Sequence, residues 1–138
     1  MSIITDHIFI GSIGDASSSE FINKNNIKGV LNVASELDRD DATTQCLYKH
    51  IKTADSVNQN IRKYFDEAFD FIDSVDGPVL VHCAAGISRS ATIVIAYLMK
   101  KYKIPMMAAF DYVKAHRSII NPNFHFIGQL MSYESEIL

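Results

Sequence analysis

Apolar positions along the chain switch between two periods. Ile61, Phe65, Phe69 and Ile72 recur every three or four residues, so they line one helical face, and Gly77-Pro78 ends that stretch. Val79-Leu80-Val81 is short and continuously apolar, the pattern of a strand buried in a parallel sheet. Ile3–Thr5, Ile8–Ile10, Val30-Leu31-Asn32-Val33 and Leu47–Ile51 predict further strands. Gly11-Ser12-Ile13-Gly14 reads as a turn, and Ser17–Ser19 can cap a helix carrying Phe21 and Ile22. Ser90–Lys101 predicts a long helix, apolar almost all round and therefore buried. Pro105 suits the first turn of another helix reaching about His116, and Asn123–Leu138 forms the last. Strand and helix alternate without repeat or linker. The expectation is α/β: a single domain over residues 1–138 with a central, mostly parallel twisted sheet flanked by helices on both faces.

Composition narrows the class. A chain of 138 residues fits one domain, a size that buries roughly 70% of its unfolded surface. With 48% hydrophobic and 21% charged residues it is globular, not disordered. A net charge of −3 and no basic run argue against nucleic acid or a membrane surface as partner, so positive charge must act locally. The longest apolar run, Ala91–Met99, is about half a bilayer span. No secretory, myristoylation or prenylation pattern is present. Cys46 and Cys83 are too few for a disulfide scaffold, and the expected address is cytoplasmic, with nuclear entry left open. Glu36–Asp41, four acids and one base, reads as a solvated loop.

One segment carries chemistry. Between a buried strand and a buried helix runs His82-Cys83-Ala84-Ala85-Gly86-Ile87-Ser88-Arg89-Ser90, where open α/β sheets place ligands. The residues Ala84, Ala85, Gly86, Ile87 and Ser88 can curl so that successive N–H groups converge at a helix N-terminus and cradle an anion. Gly86 permits the tight curl, and Arg89 can grip two phosphate oxygens at once. A cysteine at a helix N-terminus beside a cation is acidified, so Cys83 is expected as a thiolate nucleophile beneath a bound phosphorus. His7, His50, His116 and His125 lack metal-ligand spacing and no nucleotide-binding glycine motif occurs; no metal and no cofactor are expected.

His82-Cys83-x5-Arg89-Ser90 resembles the HCx5R(S/T) signature of the cysteine-dependent protein tyrosine phosphatase superfamily. The longer string HCAAGISRSATIVIAYLM is similar to dual-specificity phosphatases, particularly the MAP-kinase-phosphatase type. Val30-Leu31-Asn32-Val33, the stretch YFDEAFDFID from Tyr64 and PNFHFIGQLMSYE from Pro122 extend the likeness across nearly the whole chain. The resemblance implies a phosphotyrosine-phosphatase-like fold and dephosphorylation of phosphotyrosine and phosphoserine or phosphothreonine in proteins through a phosphocysteine. A MAP-kinase-like kinase is one partner it suggests, by analogy alone. Beside the larger tyrosine phosphatases, so short a chain implies a shallow pocket. Oligomeric state is not legible.

A leaving oxygen needs a proton, and the many acids do not choose among themselves on chemistry alone. The resemblance selects Asp55, ahead of Asp38, Asp40, Asp41 and Asp66, although the family's preceding proline is missing from Ile51-Lys52-Thr53-Ala54-Asp55. It makes Ser90 the hydroxyl that stabilises the departing thiolate, His82 a residue that orients the loop and helps keep Cys83 ionised, and Asn123 a brace for the loop. Lys114, His116 and Arg117 are expected on a solvated helix face rather than around a second phosphate, and Cys46 is expected to be idle. Two alternatives remain: an inositol-lipid or RNA 5′-phosphatase on the same fold, and a non-catalytic phospho-binding module. Ala84, Ala85 and Ile87 stand where inositol-lipid enzymes carry lysines, which favours protein substrates.

Overall fold

The computed structural model describes residues 1–138. Its strands are β1 (Ser2–Ile3), β2 (Ile8–Gly11), β3 (Gly29–Asn32), β4 (Leu47–His50) and β5 (Val79–His82). They form one sheet in the order β1-β2-β5-β3-β4, antiparallel between β1 and β2 and parallel elsewhere. The short apolar run became the central strand. β5 is buried at all four positions, with Leu80 opposite Phe9 on one side and Val30 on the other.

Successive strand residues point to opposite faces, and the two faces are covered unequally. Leu80 and Val30 join a small layer with Ala16 of helix α1 (Ile13–Ala16) and Ile22 of α2 (Ser19–Lys24). Val79, Val81 and Leu31 join the main core with α3 (Phe65–Ser74), α4 (Arg89–Tyr102), α5 (Met106–His116) and α6 (Phe124–Ile137). Helices on both faces of a mostly parallel sheet are what the alternating pattern predicts. α4 passes through the middle of this layer and is buried continuously from Arg89 to Met99. No helix is long and apolar enough to cross a membrane.

Departures from the expected elements have local causes. Gly11–Gly14 is more than a turn. Asp15 accepts the Ser12 N–H at 2.9 Å and closes a capping box that makes Ile13–Ala16 helical. Ile61 shares the buried face of α3 but precedes it, because Gln129 Oε1 takes the N–H groups of Ile61 and Arg62 at 2.9 and 3.1 Å and leaves a 3-10 turn, Arg62–Tyr64. Pro105 stands at the N-cap of α5 rather than within its first turn. Asn123 caps α6, its Oδ1 accepting the Phe126 N–H at 2.9 Å.

Phe65 anchors α3 to the core, stacked on Phe69 with centroids 5.7 Å apart and edge-on to Tyr133 at 5.0 Å. Phe65→Ala is expected to cost about 3–5 kcal/mol, read as a lowered urea midpoint with an unchanged slope.

Candidate active site

β5 ends at His82 and α4 begins at Arg89, so the loop 83–88 lies at the carboxyl end of the central strand. Every carbonyl from Ala84 to Ser88 is held from outside. Ile13 N–H takes Ala84 O at 3.0 Å, Arg117 takes Ala85 O at 3.2 Å and Gly86 O at 2.8 Å, Asn121 N–H takes Ile87 O at 2.8 Å, and Thr92 N–H takes Ser88 O at 2.9 Å. The N–H groups of the same five residues donate to no protein acceptor. Carbonyls bound outward and amides unspent make a nest for an anion. Gly86 adopts φ +70, and a Cβ there would lie 2.6 Å from both Gly11 O and Arg117 Nη2. None of the five cavities on the molecule is lined by a residue of this loop.

The expected chemistry gathers around that nest. Cys83, only 2% exposed, has its Sγ 3.2 Å from the buried Ser90 Oγ. His82 Nδ1 lies 3.3 Å from Cys83 O, and burial pushes the imidazole below its usual range. Asp55 Oδ1 accepts from Ser88 Oγ and from Asn123 Nδ2, each at 2.9 Å, while Asn123 N–H donates to Ser88 Oγ at 3.0 Å. Acid, loop and α6 N-cap are thereby tied in one triangle, and Asp55 Oδ2 stays outside it. The other acids lie elsewhere: Asp40 caps a 3-10 turn through Ala42 N–H, and Asp66 faces Lys100 at 3.4 Å.

Two expectations are overturned. Arg117 is not on a solvated face; it is 7% exposed, pinned to Ala85 O, Gly86 O and Ser2 Oγ, with no carboxylate partner. Its charge sits beneath the nest and favours an anion above it. Its neighbours Lys114 and His116 do stay outside, bonding nearby carbonyls. The acidic stretch is likewise no free loop. Asn32 donates to Leu37 O and accepts Ala34 N–H, both at 3.0 Å, and Ser35 N–H reaches Thr53 O at 2.9 Å. Glu36 then meets Arg89 with both oxygens, Oε1 2.6 Å from Nη1 and Oε2 2.7 Å from Nη2. The Arg89 guanidinium holds the Glu36 carboxyl down from 4.5 to about 2. Sequence reasoning could have found the pair, since an arginine opening a buried helix requires a countercharge and the loop after β3 ends on the same side of the sheet.

Cys46 lies in the small layer on the opposite face of the sheet, its thiol on Ile27 O at 3.3 Å and pushed up by burial. No group of three or more His, Cys, Asp or Glu side chains is placed to share a metal ion.

Comparison with known proteins places these features in a family. Residues 8–136 match the family model described as dual specificity phosphatase, catalytic domain. Dual specificity protein phosphatase 5 of Homo sapiens is 48% identical over 138 residues, covering 98% of this chain and 36% of its own length. Dual specificity protein phosphatase 1 of Mus musculus is 41% identical, with 98% and 37% covered. The chain thus spans about a third of the curated relatives it matches. The crystal structure of DUSP15 superposes with a TM-score of 0.91 at 31% identity, covering 97% of this chain and 86% of that one. That of human tyrosine phosphatase-like serine/threonine/tyrosine-interacting protein does so with 0.89 at 34%, covering 99% and 96%.

Gly86→Ala is expected to weaken binding of inorganic phosphate about tenfold or more in calorimetry, since a left-handed non-glycine residue costs roughly 1–2 kcal/mol before the clash with Gly11 O is counted. The carboxyl of Glu36, followed by NMR, is expected to titrate near pH 2 and to return toward 4.5 in Arg89→Ala. Because the folded-state value is depressed, the pair's contribution to stability is complete above about pH 4.5 and is lost as pH falls through about 2.

Proposed function

From the chain's membership of the dual specificity phosphatase family, we propose that residues 1–138 are a catalytic domain that removes phosphate from tyrosine and from serine or threonine in proteins, through a phosphocysteine. The observation that carries this reading is the run of unspent N–H groups from Ala84 to Ser88, which follows directly on Cys83 and ends at Arg89. In the proposed mechanism the Cys83 thiolate attacks phosphorus, an S–P bond forms and the ester P–O bond breaks. Asp55 passes its proton to the leaving oxygen. The nest amides and the Arg89 guanidinium carry the charge on the equatorial oxygens, preorganised before substrate arrives. Water then attacks the phosphocysteine, giving its proton to Asp55, and the S–P bond breaks. Ser90 Oγ, 3.2 Å from the sulfur, donates to the departing thiolate. His82 and Asn123 hold the loop and the acid in place.

The shallow pocket expected of so short a chain favours short phosphoserine and phosphothreonine side chains alongside phosphotyrosine. The loop's Ala84, Ala85 and Ile87 support protein over inositol-lipid substrates. A phosphorylated MAP-kinase-like kinase is the partner class this reading favours, in the cytoplasm or nucleus.

Turnover of p-nitrophenyl phosphate and of phosphotyrosine and phosphothreonine peptides is expected in the presence of EDTA and is expected to vanish in Cys83→Ser. Asp55→Asn should lower kcat by about 10²–10⁴. Activity that survives Cys83→Ser, or a panel in which inositol lipids or RNA 5′-triphosphate outrun every phosphopeptide, would sink the reading.

A further inference from the structure

Arg89 has five N–H groups and a fixed planar fork. Three are spent inside the protein. Nη1 donates to Glu36 Oε1 at 2.6 Å and to Thr53 O at 3.0 Å, and Nη2 donates to Glu36 Oε2 at 2.7 Å. The carboxylate therefore occupies the end of the fork, between Nη1 and Nη2. What remains is the Nε–H and the second N–H of Nη2, which lie parallel along one side edge. Nε is buried and has no hydrogen-bond partner. A buried donor left unmade is costly, and one that a ligand oxygen would satisfy is explained by that ligand. Ser90, the residue after Arg89, contacts the Cys83 thiol, and Thr53, whose carbonyl takes Nη1, lies two residues before Asp55, so the guanidinium belongs to the same site.

We propose that Glu36 is a positioning residue: it fixes the Arg89 guanidinium by its far end so that the Nε and Nη2 edge is presented, two-pronged, to a substrate phosphoryl group. The arrangement of exposure fits this division. The Glu36 side chain is 51% exposed and the Arg89 side chain 6%, so the acid approaches from the rim and the arginine is held from outside inward. Thr53 supplies the second constraint. Its carbonyl also accepts the Ser35 N–H at 2.9 Å, so the peptide that fixes the turn carrying Glu36 fixes Nη1 as well. A carboxylate acting as a plug would take the side edge, where a tetrahedral oxyanion binds; this one leaves that edge open. The inference rests on the phosphatase reading and names a residue within it.

The test uses Glu36→Gln, which keeps volume and one acceptor, and Glu36→Ala. Each is made in the native chain and in Arg89→Lys, where no side edge exists. Inhibition by inorganic phosphate, kcat and KM for p-nitrophenyl phosphate, and the melting temperature are measured for all. With Arg89 present, both variants should weaken phosphate inhibition and lower kcat/KM by about ten- to a hundredfold, the scale of a misplaced catalytic contact. Melting is expected to fall as the pair's stabilisation is lost, with both variants still folded at the assay temperature, and in Arg89→Lys the same substitutions should cost kcat/KM no more than about twofold. Unchanged or tighter phosphate inhibition in Glu36→Gln would overturn the proposal and make the carboxylate a bystander or a plug. An equal loss in Arg89→Lys, or failure of both variants to fold, would overturn it as well. A wild-type chain that neither turns over p-nitrophenyl phosphate nor binds phosphate would bring down the phosphatase reading first and this inference with it.

Discussion

The structure depends on where the carbonyls of five consecutive residues go. A peptide chain cannot curl its N–H groups toward one point unless the opposite ends of those dipoles are satisfied outside the curl. Here the donors come from four separate places: Ile13 after β2, Thr92 in α4, Arg117 at the end of α5 and Asn121 before α6. Much of the fold around the sheet can be understood as the means of bringing them to one end of β5. Loss of any one donor would free a carbonyl to turn inward, toward the anion it should face away from.

Charge follows the same design. Two buried arginines flank the loop, and the protein treats them differently. Arg117, beneath, has only neutral partners, so its field remains available to the nest. Arg89, beside it, is neutralised at one end by Glu36. A chain with net charge −3 can hence present a local positive mouth without a basic surface. Depressing Glu36 to about 2 keeps that pairing ionised throughout the physiological range.

Local pattern was legible where one physical rule dominates. The continuously apolar Val79–Val81 announced a buried central strand, the period of Phe65, Phe69 and Ile72 a helix, and the spacing from Cys83 to Arg89 an anion loop; each is a short-range signal. The resemblance added Asp55 and Asn123, which the structure brings together at 2.9 Å. Illegible were residues whose environment is set by distant partners. Glu36 looked like one of several exposed acids because its significance comes from an arginine 53 positions away. Arg117 looked solvated because α5 exposes Lys114 and His116, and only the loop packed on the helix end buries the next residue. Ile13–Ala16 was missed for a smaller reason, since a single helical turn has no periodicity and rests on one capping aspartate.

The strand order also makes completion of the sheet depend on its last strand. β2 and β3 do not pair with each other; β5, made some fifty residues later, fills the slot between them. Without it both would present open hydrogen-bonding edges, and the parallel pairings that close them join segments far apart in the sequence, the kind of contact that forms slowly. The segment that zips the slot runs directly into Cys83. Closure of the sheet and placement of the 83–88 loop therefore depend on the same strand, and a chain that ended short of β5 would have neither.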